Sequence, residues 1–154
     1  MEINSILDPQ NIIFEPSINS KQQLFRKIAE LLKMNGFVKN SKKFIKDLEK
    51  RENEAPTGIE DGFGIPHAKS KYVVKPTIVF AHTGIISDYI ALDNTKVQYT
   101  FTLAVPKGSA DIHLDLLSAL SRKLMDDGFR DRLKKAQTKN QVLDVLASDS
   151  AEVS

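Results

Sequence analysis

Apolar residues recur at helical spacing in the first third of the chain, alternate through the middle, and return to helical spacing at the end. Leu24, Ile28, Leu31 and Leu32 share one face of a segment predicted to be helical from Ser20 to Asn35. Ser20 can cap it, Gln23 completes a capping box, and Gly36 is a natural stop. A second helix is predicted from Ser41 to about Glu52, with Phe44, Ile45 and Leu48 on its apolar face. Thr77 to Thr83 is rich in β-formers, and Val97 to Val105 (VQYTFTLAV) is the clearest strand, ended by Pro106-Lys107-Gly108. A long helix follows from Ser109 to Asp127, with Leu116, Leu117, Leu120 and Leu124 facing inward and Gly128 closing it. Two short helices are expected near Phe129 to Ala136 and Thr138 to Ala147, the last capped by Thr138 with Gln141. Helices and strands interleave, which predicts an α/β sandwich: a mixed β-sheet flanked by helices in a single domain over residues 1–147. Residues 148–154 read as a flexible tail or the start of a linker.

Composition narrows the function classes. The length of 154 residues suits one domain with a substantial core. Its 22 basic and 20 acidic residues give a formal charge of only +2, and no basic stripe interleaves with aromatics. Nucleic-acid binding is therefore not expected. The absence of cysteine excludes disulfides, thiolate nucleophiles and thiolate metal sites, and fits a reducing cytoplasm. The first residues lack the apolar core of a signal peptide, and no apolar run approaches the ~20 residues that span a bilayer. A soluble, cytoplasmic protein without direct membrane insertion is the expectation.

The candidate chemistry centres on Thr57 to Lys69 (TGIEDGFGIPHAK), a glycine-rich stretch carrying His67. Gly58, Gly62 and Gly64 permit unusual backbone angles and close approach by another molecule. Pro66 fixes its own φ and biases Ile65 toward extended backbone, restricting where His67 points. A histidine on a stiff, exposed loop suits a reactive group better than a packing role. His113 falls in the first turn of the Ser109–Asp127 helix, where unpaired N–H groups favour a neutral imidazole and a nearby anion. A satisfied, half-buried histidine is an equal reading there. His82 closes the strand Ile78-Val79-Phe80-Ala81-His82 and reads as a strand-end surface residue. Arg51 and Glu52 end the second helix just before the loop. An arginine there either holds an oxyanion bidentately or completes the helix C-terminus. The histidine spacing fits no zinc motif, so no metal is expected, and the glycines are not followed by the Lys-Ser/Thr of a P-loop. The residues alone reach a histidine-centred loop near a possible anion site, which phosphoryl transfer fits but is not forced by.

Four segments together resemble a known family: Arg51-Glu52 with Pro56-Thr57-Gly58-Ile59; Gly64-Ile65-Pro66-His67-Ala68-Lys69-Ser70; Ile90-Ala91-Leu92-Asp93-Asn94, leading into Ala104-Val105-Pro106; and the run His113 to Ser121 (HLDLLSALS). Over nearly the whole chain, roughly Ser5 to Ala147, the sequence is similar to type 2 enzyme IIA domains of the bacterial phosphoenolpyruvate-dependent sugar phosphotransferase system. This is the fructose/mannitol group, with its nitrogen-related regulatory branch. The resemblance implies that His67 is the phosphorylated histidine, through Nε2 (tele), with Nδ1 donating its proton to a fixed acceptor. It makes His113 the second active-site histidine and Arg51 a charge-compensating partner, with Thr57, Gly58, Gly64 and Pro66 supporting the loop. It implies phospho-HPr as donor, enzyme IIB as acceptor, membrane enzyme IIC as an indirect partner, and no cofactor. Transport of a fructose-type sugar is the favoured implication; regulation by phosphorylation state, as in the nitrogen branch, is the alternative. Glu60-Asp61 and Phe63-Gly64 depart from the family pattern.

Overall fold

The structure, a computed structural model, describes residues 3–153, with side chains described for residues 3–148. A short helix α1 (Ile3–Ile6) precedes strand β1 (Ile12–Glu15), followed by α2 (Lys21–Met34) and α3 (Ser41–Glu54). Strands β2 (Gly58–Glu60), β3 (Phe63–Gly64), β4 (His67–Ser70), β5 (Thr77–Ile90) and β6 (Lys96–Pro106) come next. Helices α4 (Ala110–Leu124), α5 (Asp127–Lys135) and α6 (Lys139–Val153) end the described chain. The strands form one mixed sheet in the order β1-β5-β6-β3-β2, with β4 also paired to β6. β5 and β6 are antiparallel, while β1 runs parallel to β5, and β3 and β4 run parallel to β6. The mixed sheet flanked by helices expected from the sequence is what forms.

Strand alternation distributes the core over both faces of the sheet. Val79, Ala81 and Ala104 point to the layer built by Leu24, Ile28 and Leu32 of α2 and by Phe44 and Leu48 of α3. Ile78, Phe80, Phe101 and Leu103 point the other way, to Leu116, Leu120 and Leu124 of α4, Phe129 and Leu133 of α5, and Val142 and Leu146 of α6. The caps at Ser20 and Thr138 form as expected: Gln23 N–H donates to Ser20 Oγ, and Gln141 N–H to Thr138 Oγ1, both at 3.1 Å. α3 is capped by Asn40, whose Oδ1 accepts from Lys43 N–H at 3.0 Å.

Several boundaries differ from the sequence pattern for physical reasons. The expected Ser109–Asp127 helix ends at Leu124, and Gly128 lies inside α5 instead of closing α4. Asp126 adopts extended backbone, and its carboxylate accepts from Gly128 N–H at 3.0 Å, so it starts a new helix. The strand expected to close at Thr83 continues to Ile90 through two register shifts against β6. α6 extends past the expected Ala147 end to Val153. The side chains of residues 149–154, most of the expected tail, lie outside the described residues.

Candidate functional site

The glycine-rich segment is not an exposed loop. It folds into β2, β3 and the start of β4, and parallel pairing of His67 with Leu103 draws it into the sheet. His67 is only 7% exposed. Leu103 N–H donates to the Pro66 carbonyl at 2.9 Å, and Ile65 N–H donates to the Thr57 carbonyl at 3.0 Å, so the two residues before the histidine are anchored. Gly58 and Gly64 serve the chain's own packing, not an incoming molecule. A Cβ on Gly58 would sit 2.8 Å from Ala91 Cα, and one on Gly64 2.9 Å from the Tyr89 hydroxyl. Gly62 does need its glycine backbone, at φ 79°.

The His67 imidazole has a defined tautomer. Nδ1 lies 2.8 Å from the Ile65 carbonyl, which only accepts, so Nδ1 carries the proton and Nε2 bears the lone pair. Burial lowers the His67 pKa; the Ile65 bond opposes this, Arg51 adds to it, and the Glu52 carboxylate opposes it. The net direction keeps the ring neutral at physiological pH.

Beneath this strand sits a buried carboxylate. Glu52, 6% exposed, accepts Thr57 N–H on Oε2 at 3.0 Å and the Thr57 hydroxyl on Oε1 at 2.6 Å. The Tyr89 hydroxyl closes the network onto Thr57 Oγ1. Glu52 was legible only as a helix-end acid; the network it joins through Thr57 ends on Tyr89, 37 residues on by the numbering.

α4 brings His113 to the same place. Its ring centroid lies 5.2 Å from that of His67, with the planes tilted by 49°. Burial, followed by the neighbouring His67, Lys69 and Arg51, pushes the His113 pKa down to about 4, so this ring too is neutral at pH 7. Its Nε2 is buried without a hydrogen-bond partner among the described residues, so the satisfied-histidine reading does not hold for that atom. The first turn of α4 also lacks a side-chain cap, since Ser109 makes no such bond. Arg51 lines the opening beside both rings while donating Nη1–H to the Ala55 carbonyl at 2.9 Å. One nitrogen of Arg51 thus completes the helix end, while the residue borders the opening. The opening has a volume of about 580 Å³. Among the described residues no cluster of three or more potential metal ligands occurs, and no helix is long and apolar enough to cross a membrane.

The sequence placed His82 at a strand end, but it lies within β5, half-buried against Tyr99 at 4.5 Å and Phe14 at 6.0 Å, away from the opening. The residues that depart from the family pattern have structural partners. Asp61, at φ 56°, accepts from Arg130 Nε at 3.1 Å and Lys134 Nζ at 2.5 Å, while Glu60 lies 3.6 Å from Arg130 Nη1. Phe63 is fully buried and stacks on Tyr99 at 4.8 Å.

Two neutral imidazoles and an arginine thus border one opening, on a mixed sheet between helical layers. The profile of the "Phosphoenolpyruvate-dependent sugar phosphotransferase system, EIIA 2" family matches residues 5–149, and the chain belongs to that family. It is therefore a phosphoryl-transferring component of the phosphotransferase system. It is similar to the PTS system fructose-specific EIIA component of Haloferax volcanii, with 36% identity over 146 residues covering 95% of each chain. Its fold is also similar to that of the nitrogen regulatory protein IIA-Ntr from Neisseria meningitidis, with a TM-score of 0.85 and 28% identity over 94% of this chain and 98% of that one. The mannitol enzyme IIA of Escherichia coli, solved in complex with phosphorylated enzyme IIB, shares the fold at a TM-score of 0.72 and 19% identity, covering 93% and 99% of the two chains.

Proposed function

We propose that His67 accepts a phosphoryl group on Nε2 from phospho-HPr and passes it to an enzyme IIB during uptake of a fructose-type sugar, with membrane enzyme IIC downstream. The observation that carries this reading is the bond from His67 Nδ1 to the Ile65 carbonyl, which leaves the Nε2 lone pair available in an opening shared with His113 and Arg51. In the transfer, the Nε2–P bond forms as the P–N bond to the donor imidazole breaks, and the leaving electron pair stays on the donor ring. The Nδ1 proton stays in place, so no external base is needed. Catalysis is then positioning plus charge stabilisation. The unpartnered His113 Nε2 supplies a donor to the equatorial oxygens, and Arg51 supplies charge. Thr57, Gly58, Gly64 and Pro66 hold the strand in register. The chain acts as one domain in the cytoplasm, and its last helix runs past Ala147 to Val153.

The sugar assignment rests on the Haloferax relative. A second reading, regulation through the phosphorylation state of His67, draws on the likeness to the Neisseria protein. Incubation with phosphoenolpyruvate, enzyme I and HPr should add one phosphoryl group to the intact mass and none to His67→Ala. Full labelling of that variant would remove the assignment. Subsequent transfer to a panel of IIB proteins separates transport from regulation: transfer to none of them favours the regulatory reading.

A further inference from the structure

The opening onto which His67 faces is larger than a phosphoryl group. Its ~580 Å³ would hold roughly twenty waters at ~30 Å³ each, so a small phosphorylated molecule can enter it whole. Five lysine and arginine side chains line it against two carboxylates, Asp47 and Glu54, and Asp47 already accepts the Ser70 hydroxyl at 2.6 Å. Arg51, from α3, and Lys69, from the strand of His67 itself, are close enough for their charges to act on both imidazoles. Such a cleft concentrates a compact dianion beside the Nε2 lone pair.

What the two histidines do not offer is an acid. His67 keeps its Nδ1 proton on the Ile65 carbonyl, and His113, with a pKa of about 4, is not an imidazolium at pH 7. A phosphate ester whose leaving group is an alkoxide or an enolate gains from a proton on that oxygen as its bond to phosphorus breaks. An acyl phosphate does not need one, because a carboxylate with a pKa near ~4 departs as a stable anion. The chemistry of the two rings therefore selects among small donors by leaving group.

We propose that His67 also takes its phosphoryl group directly from small acyl phosphates, with no protein donor. The inference rests on the reading of His67 as the phosphorylated residue. The Nε2–P bond forms as the P–O bond to the acyl oxygen breaks. The electron pair leaves on the carboxylate, the Nδ1 proton stays in place, and no proton is exchanged. Arg51 and Lys69 answer the charge on the equatorial oxygens.

The test uses acetyl phosphate and the purified protein, without enzyme I or HPr, followed by intact mass. One phosphoryl group should be added to wild type and none to His67→Ala. Peptide mapping of labelled wild type should place it on His67, which covers the case where the variant misfolds. The rate should exceed that of a short histidine peptide at equal concentration by about 10²-fold or more, the scale of one transition-state donor. Because burial holds the His67 pKa below its ordinary value, labelling should persist at about pH 6, where the peptide is largely protonated. Phosphoenolpyruvate alone and glycerol phosphate, esters of an enol and an alcohol, should label at least about tenfold more slowly. A group mapped to another residue, a rate no faster than the peptide's, or equal labelling by the esters overturns the proposal. No labelling by acetyl phosphate while phospho-HPr still labels His67 also overturns it and leaves the carrier reading standing. Failure with both donors removes both readings.

Discussion

Glu52→Gln replaces one oxygen with an NH2 group and tests whether the buried carboxylate holds the reacting strand in place. Both Glu52 oxygens accept from Thr57, one from the amide at 3.0 Å and one from the hydroxyl at 2.6 Å. Glutamine can give its oxygen to the amide and its NH2 to the hydroxyl oxygen, which then accepts and must turn its own proton toward Tyr89. Two charge-assisted bonds become neutral ones, each weaker by about 1–1.5 kcal/mol, so roughly 2–3 kcal/mol is expected. At about 2–4 °C per kcal/mol for a domain of this size, Tm should fall by roughly 4–12 °C. A typical stability of about 5–15 kcal/mol leaves the variant folded. The same substitution has a second readout. Thr57 is linked through its carbonyl to Ile65 N–H, and the Ile65 carbonyl holds His67 Nδ1. Glu52 is also one of the groups that raise the His67 pKa against the larger effect of burial. Removing its charge should move the His67 titration, followed by imidazole NMR, further below its ordinary value. A Tm within about 1 °C of wild type, together with an unmoved His67 titration, would refute the support role.

Two other perturbations separate roles at the opening. Arg51→Lys keeps a cation for the Ala55 carbonyl but loses the planar fork, so single-turnover transfer from phospho-HPr should slow by about tenfold or more, ~1.4 kcal/mol, with Tm nearly constant; an unchanged rate reduces Arg51 to a helix-end residue. His113 is held at a pKa of about 4, below its ordinary 6.5, so as pH falls from 6.5 to 4 the unfolded chain takes up the proton first. Stability on the order of 1–3 kcal/mol, full above pH 6.5, is lost over that window. Tm should therefore decline more steeply for wild type than for His113→Asn, and parallel declines would sink the claim.

The parts of this protein that were legible in the sequence are those whose cause is local. Capping boxes at Ser20 and Thr138, the 3.6-residue period of α2 and α3, and the apolar run of β6 each need only a few neighbouring residues. His67 stood out for the same reason, since the glycines and Pro66 that shape its backbone lie within ten residues of it. The misreadings share a different origin. The segment around His67 reads as loop because β4 becomes a strand only by pairing with Leu103 to Pro106, more than thirty residues away. β1 is Ile12-Ile13-Phe14-Glu15, whose β-branched and aromatic residues are a strand signal too short to show alternation; its parallel partner is Phe80 to Thr83. Asp126 could have been found, because aspartate is a preferred N-cap and Asp127 adds an acid to the first turn that follows.

The acids at Glu60 and Asp61 show how a local departure acquires a distant cause. Viewed along the chain, two carboxylates beside a reactive loop suggest a change in partner preference. In the fold, the side chain of Arg130, 69 residues from Asp61, is almost fully buried and answers Asp61, Asp127 and the Leu124 carbonyl together. A buried guanidinium is strongly destabilising unless its charge and donors are matched. Asp61 and Asp127 provide that match, and in doing so they tie the β2–β3 hairpin to the start of α5. The carboxylates thus answer a buried cation of α5 and do not line the opening where His67 lies.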